Sequence, residues 1–333
     1  MSGTLLVVGN GGEEHVGRHF RLAAENLGLA SCFADTRAAY AGVWRQRFNW
    51  RFRDRRPARL TEFSSELCGV VRAAQASVVL ATGIAPIEDQ ALREIRRSGV
   101  KAANFLTDDP WARTHRAGWF LKCLPEYDVI FTPRRSNIED LRKAGCKDVR
   151  YLPFAYSADV HYREAGTAGL ESQVLFAGAA DEDRLQWIEP LIRAGFKVAL
   201  YGSYWHRYSL SRPYARGLAN LQTLRQAVAS ADVVLGLVRR ANRDGHCMRS
   251  YEAPAMGACL VAEKTEEHLE LFGPDGESVS YFEDRNGLVS KVAALLKDPQ
   301  RRRDLAHSVY TRLTSEPNRY EDRLRSILSV TCA

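Results

Sequence analysis

The chain has 333 residues, 45% hydrophobic and 26% charged, with a net charge of +7. That length fits two globular domains better than one, and no apolar run approaches the ~20 residues of a membrane-spanning helix. The charge is lopsided: residues 1–155 hold 24 Lys and Arg against 17 Asp and Glu, while the remainder holds 23 of each, so an anionic partner is expected for the first half.

The N-terminal Leu5–Val8 is a short apolar run without a preceding positive region, which reads as a buried strand and not as a signal peptide. Gly9-Asn10-Gly11-Gly12 follows, then a helical pattern from His15 to Leu27. A glycine turn between strand and helix leaves backbone N–H groups for a phosphate or another polar ligand, or is simply a tight turn. Strands are expected at Ser31–Ala34, Val78–Ala81, Lys101–Leu106, Tyr127–Thr132 and Val149–Leu152. Helices are expected through Ala74, at Glu88–Ser98 and at Ile138–Ala144, the last two closed by Gly99 and Gly145.

The alternation restarts after the small-residue stretch 164–169. Strands are expected at Gln173–Ala177, Lys197–Tyr201, Val233–Leu237, Cys259–Ala262 and Ser278–Phe282. Helices are expected at Arg184–Ala194, Leu221–Ala229, Glu267–Phe272 and Leu288–Leu296, with a helical tail from Arg301 to Val330. Alternating strands and helices predict an α/β fold: two tandem Rossmann-like domains, 1–157 and 158–314, facing a cleft, with a C-terminal helix near 315–333 packing back on the first. Seven dispersed cysteines without metal-binding spacing read as reduced thiols of a cytoplasmic protein.

Ligands of such sheets bind beyond the carboxyl ends of the strands. The richest stretch there is Arg249-Ser-Tyr-Glu252-Ala-Pro-Ala-Met-Gly257. Arg249 and Glu252 lie one helical turn apart, where both can face one ligand. A guanidinium suits phosphate oxygens, and a carboxylate can accept two hydroxyls, as a ribose diol offers. The plainer reading is an i, i+3 ion pair.

The run R-S-Y-E-A-P-A-M-G-A-C-L-V-A (249–262), with E-L-F-G-P-D-G-E-S-V-S-Y-F (270–282) and L-L-K-D-P-Q-R-R-R-D-L-A (295–306), resembles the donor-binding half of GT-B glycosyltransferases. Within them it is most similar to the spore-maturation CgeB-like group, whose C-terminal domain is also called glycosyl transferases group 1. N-F-L-T-D-D-P-W (104–111) resembles the group's first domain. The resemblance implies a GT-B architecture, with an acceptor domain followed by a nucleotide-sugar donor domain. It implies that Glu252 holds the donor ribose, that Arg249 holds the diphosphate, and that Gly178 and Arg184 approach the diphosphate from the other side. Retaining members carry E-x7-E, whereas this chain has Asp244 at the first position, which leaves the role of Asp244 and the stereochemical outcome open.

Asp108 and Asp109 follow a strand and precede Pro110; they are candidates for a general base or acceptor ligand, or for a helix N-cap. His15 is a candidate base or a solvated first-turn histidine. Asp181-Glu182-Asp183 spells D-x-D, a metal motif of another transferase fold; the tandem α/β halves favour an acidic helix N-terminus instead. Trp205 and His206 could stack on a base or sugar, or pack in the core.

The segment Arg45–Arg59 is dense in arginine, with Trp44, Phe48 and Phe52 at four-residue steps. This predicts an amphipathic basic helix whose aromatics form the buried face and whose arginines form a solvated flank. An anionic membrane surface or anionic acceptor is the alternative partner, and nucleic acid the least favoured one. The expected function is transfer of a sugar from a UDP-, GDP- or dTDP-linked donor to an acceptor, without metal or resident cofactor, by a cytoplasmic protein able to sit at the inner face of the membrane. The alternative is a degenerate module that binds nucleotide or glycan without transfer.

Overall fold

A computed structural model describes residues 3–332; the side chains of Val43, Arg45 and Arg47 lie outside that description. The chain divides into two compact units. The first comprises Met1–Pro153, Ala241–Arg243 and Tyr320–Ala333, and the second Phe154–Arg240 and Asp244–Arg319.

The first unit is built from β1 (Thr4–Gly9), α1 (Val16–Asn26), β2 (Ser31–Asp35), α2 (Val43–Phe52), α3 (Leu60–Ala73), β3 (Ala76–Thr82), α4 (Asp89–Arg97), β4 (Lys101–Phe105), α5 (Gly118–Leu121), β5 (Val129–Thr132), α6 (Ile138–Lys143) and β6 (Val149–Tyr151). Its strands form one parallel sheet in the order β2-β1-β3-β4-β5-β6. The central strands are apolar along their length because helices cover both faces: Leu6, Val7, Val8, Val79, Leu80 and Ala81 are fully buried. Gly9 and Gly17 let α1 cross β1 closely; a Cβ on either would lie 2.6–2.7 Å from the other's Cα, so only glycine fits both positions.

The second unit continues with β7 (Ser172–Ala177), α7 (Glu182–Arg193), β8 (Val198–Tyr201), β9 (Ala215–Gly217), α8 (Leu221–Ala229), β10 (Ala231–Gly236), α9 (Arg249–Ala255), β11 (Leu260–Glu263), α10 (Glu266–Phe272), β12 (Ser280–Phe282), α11 (Arg285–Lys297) and α12 (Pro299–Ser315). Its sheet is parallel, in the order β12-β11-β10-β7-β8-β9. The strand order reverses between β7 and β10, and the loops leaving those two strands are where this topology holds ligands. The short edge strand β9 was not legible in the sequence, because Ala215-Arg216-Gly217 has no apolar run.

The last helix, α13 (Tyr320–Thr331), belongs to the first unit. Its Tyr320 stacks on His19 of α1, with ring centroids 5.0 Å apart, and meets Phe20 edge-on at 5.2 Å. Tyr320, His19 and Phe20 are all fully buried.

Helix α2 reverses its expected orientation. Its inward side is polar: Asn49 is 4% exposed, and the Gln46 side-chain oxygen accepts the Ala58 N–H at 2.8 Å. The aromatics point outward, with Trp44 83%, Phe48 52%, Trp50 57% and Phe52 70% exposed. The spacing is helical, as expected, but it marks the exposed face. The chain after the helix turns back beneath it and offers a backbone donor, which a glutamine can satisfy and a phenylalanine cannot.

Candidate functional site

In the second unit the loops after β7 and β10 converge on Arg184. It sits in the first turn of α7, behind the N-cap Asp181, whose carboxylate accepts the Arg184 N–H at 2.8 Å. Asp181 is thus a helix cap, and the D-x-D spelling has a structural reason. The guanidinium of Arg184 donates to the Ala179 carbonyl at 2.8 Å and lies over the Phe176 ring. Its Nε is buried without a hydrogen-bond acceptor among the described residues. Burial lowers the Arg184 pKa, opposed by Asp181, and neighbouring Arg239 lowers it further. Asp181 is the shared counter-charge, 3.7 Å from Arg184 and 3.9 Å from Arg239. Two guanidiniums share this partly exposed carboxylate, and the unused Arg184 Nε adds a buried donor, the kind of donor-rich corner in which phosphate oxygens bind.

Two glycines shape this corner. A Cβ at Gly178 would press on the Phe176 ring at 2.9 Å and approach Arg184. Gly202, at φ 132°, brings the end of β8 against the Gly178 carbonyl, which any side chain would strike. Trp205 donates its indole N–H to the same carbonyl at 2.8 Å and is 1% exposed. It packs edge-on against Phe176 and is core, unavailable for stacking on a ligand. Asp244 lies near enough to Arg184 to raise its pKa, so Gly178, Arg184 and Asp244 do gather at one place.

Arg249 and Glu252 gather at another. They open α9 as an ion pair, Nη1 to Oε2 at 2.6 Å, off the axis of a hydrogen bond, so this oxygen keeps acceptor capacity. The Glu252 side chain is 3% exposed, and His161 Nε2 lies 3.6 Å from its other oxygen. Burial, reinforced by Arg249 and Arg225, pushes the His161 pKa down to about 3. The imidazole is therefore neutral at ordinary pH and leaves Arg249 as the charged partner of Glu252.

Two further residues stand beside these. Arg239 follows β10 directly and opens the stretch 239–252, which its position just after a buried strand marks in the sequence, whereas Glu263 was missed. Glu263 closes β11, one residue past the strand end read from the sequence. It is 6% exposed, and one carboxylate oxygen has no hydrogen-bond partner among the described residues. Burial raises its pKa to about 7 against the pull of Arg240. Arg240, stacked over Trp187, also lines a cavity of ≈ 680 Å³ with Glu283, Asp284 and Arg285, a volume typical of small-ligand sites.

In the first unit the glycine loop is largely satisfied internally. Gly12 N–H donates to the Asn10 side chain at 2.9 Å and Gly11 N–H to Asp35 at 3.4 Å. Asp35 is also held by Arg37. Exposed His15 is the N-cap of α1, and its side chain makes no capping bond. Loss of hydration and Arg37 lower its pKa, against Asp35 and Asp108. The two aspartates differ. Asp109 is 2% exposed, accepts the Trp111 N–H at 3.0 Å and receives Arg243 Nε at 2.7 Å. It caps a turn, not a helix, and its charge is already used. Asp108 is about one-third exposed, and its hydrogen-bond donors among the described residues are neutral, Asn242 at 3.2 Å and Thr107 at 3.2 Å, with His115 at 3.5 Å.

Residues 184–329 match the family described as glycosyl transferase-like. No curated protein matches in sequence. Among solved structures, the chain is similar to sucrose-phosphate synthase from Thermosynechococcus elongatus, at 11% identity, 99% coverage of both chains and a TM-score of 0.69. It is similar to HepE of Anabaena in complex with UDP-glucose, at 11% identity, 98% and 100% coverage and a TM-score of 0.62. A UDP-N-acetylglucosamine 2-epimerase is similar at 12% identity, 98% and 95% coverage and a TM-score of 0.56. The architecture is that of GT-B glycosyltransferases, two Rossmann-like domains each with a six-stranded parallel sheet. An epimerase shares it, so the fold alone does not select the reaction. Among the described residues no helix is long and apolar enough to cross a membrane.

Proposed function

We propose that this protein is a glycosyltransferase that takes a sugar from a nucleoside-diphosphate donor, of the CgeB-like kind. The observation that carries the reading is the arginine pair at the β7–β10 switch point, Arg184 with an unused buried Nε and Arg239 beside it. A diphosphate would take up those donors and displace Asp181 as counter-charge, and the same pair would stabilise the charge that grows on the leaving group. This assigns neutralisation to side chains and needs no metal, so activity should persist in chelator. Glu252 keeps its role toward the ribose only if Arg249 yields. Of the first-unit candidates, Asp108, with His15 nearby, has the spare capacity a base needs, and Asp109 does not.

The buried Arg249–Glu252 pair favours a second reading, a module that binds nucleotide without transfer. Thermal denaturation with UDP, GDP, dTDP, ADP and CMP comes first. A ligand at 100 times its dissociation constant adds about 2.7 kcal/mol, and Arg184→Ala should weaken the preferred diphosphate by roughly 10- to 150-fold, the worth of a charge-assisted hydrogen bond. Release of that diphosphate from its sugar donor supports transfer. Binding without release supports the second reading, and no response to any nucleotide overturns both.

A further inference from the structure

Helix α2 turns its aromatic side chains to solvent and its amides inward. An aromatic stripe left outside a fold that has ample core marks a contact surface. Trp44, Phe48 and Phe52 recur every fourth residue and so lie along one face, with Arg51 on the same side. At ten residues the helix is roughly 15 Å long. Phe48 and Phe52 pack on each other, with centroids 5.2 Å apart, and Arg53 lies over the Phe48 ring.

The charge around the stripe is positive and not neutralised in kind. Arg55 donates to the carbonyls of Arg113 and Arg116, which holds the exposed 113–116 turn, with its own two arginines, next to the helix. Arg56 and Arg59 are paired with Glu88 and Glu66, whereas no carboxylate partner for Arg51 or Arg53 is found among the described residues. The one acid in the segment, Asp54, accepts the Gly118 N–H.

We propose that α2 and the 113–116 turn dock this protein on an anionic lipid surface, with the helix lying in the interface plane. Trp and Phe enter the boundary between headgroup and acyl chain, and the arginines meet the phosphates. The alternative anionic partner, a single-stranded nucleic acid, needs aromatic faces separated by room for a base. Phe48 and Phe52 close that room by packing on each other, and they form the continuous apolar strip that a bilayer takes.

The test is co-sedimentation of the full chain with vesicles of pure phosphatidylcholine and of phosphatidylcholine mixed with equal phosphatidylglycerol, at low and high salt. Wild type should pellet with the anionic vesicles, and less so at high salt. Arg51→Glu with Arg53→Glu should weaken binding by roughly 30-fold or more. Trp44→Ala with Phe52→Ala should weaken it by about tenfold or more, with the thermal midpoint of both variants unchanged because these side chains are exposed. Absence of pelleting, equal pelleting with neutral vesicles, or binding untouched by both variants overturns the proposal. Tighter binding to an oligo-dT strand than to anionic vesicles overturns it in favour of nucleic acid.

Discussion

Helices α2 and α4 are both dense in arginine and turn their apolar side chains in opposite directions. Both are short, rich in arginine and set against the same sheet unit. In α4, Ala91, Leu92 and Ile95 face inward, and Arg93 and Arg96 are paired outward. Arg93 reaches Asp89 at 2.6 Å and Glu126 at 2.8 Å, and Arg96 reaches Asp128 at 3.1 Å. In α2 the amides face inward and the rings outward, and Arg51 within it and Arg53 just after it have no carboxylate partner among the described residues. The comparison teaches that spacing fixes a stripe but not its direction. Direction is set by what the neighbouring chain offers: an apolar sheet face for α4, a lone backbone N–H at Ala58 for α2.

Three experiments sharpen that contrast, from large effect to small. Leu92 is fully buried, so Leu92→Ala should cost about 2–5 kcal/mol in chemical denaturation. A cost near zero would mean that α4 does not carry its share of the core.

The second follows a buried acid whose only close cation, Arg240 at 3.8 Å among the described residues, is held more loosely than the arginine partners of the carboxylates around α4. Glu263 has its folded pKa raised from 4.5 to about 7 by burial. The unfolded chain releases this proton first, so its contribution to stability is whole below pH 4.5 and is lost as pH rises towards 7. The loss is on the order of 3 kcal/mol. Glu263→Gln should therefore flatten the fall in stability between those pH values, and an unchanged pH profile would show that the carboxyl ionises freely.

The smallest effect is the most diagnostic for α2. Gln46→Ala removes the acceptor of the Ala58 N–H and should cost about 1 kcal/mol, while Phe48→Ala should stay within roughly 0.5 kcal/mol. The opposite order would return the aromatics to the buried face.

The strands were legible because parallel strands covered on both faces read as plain apolar runs, as Leu5–Val8 and Val233–Leu237 do. Helix ends were legible where a glycine in the left-handed region follows, as at Gly99, Gly145, Gly195 and Gly257. Part of the candidate site was not. Asp109 loses its catalytic availability to Arg243, 134 residues away in sequence, and no local pattern announces such a partner. Glu263 was passed over because a strand reading stops where the apolar run stops, although a carboxylate closing a buried strand is itself a signal. Arg249 and Glu252 were found by spacing, but their pairing and burial depend on the packing of α9.

The place of α13 bears on how the protein is made. Its Tyr320 completes the packing around His19 and Phe20, on the first helix of the chain. A ribosome that has finished Pro153 has delivered most of the first unit but not that ring. At roughly 5–20 residues per second, the intervening stretch takes on the order of 10–30 s to synthesise. For that time a nascent chain carries an uncovered aromatic face on α1, and its first-born unit is the last to close.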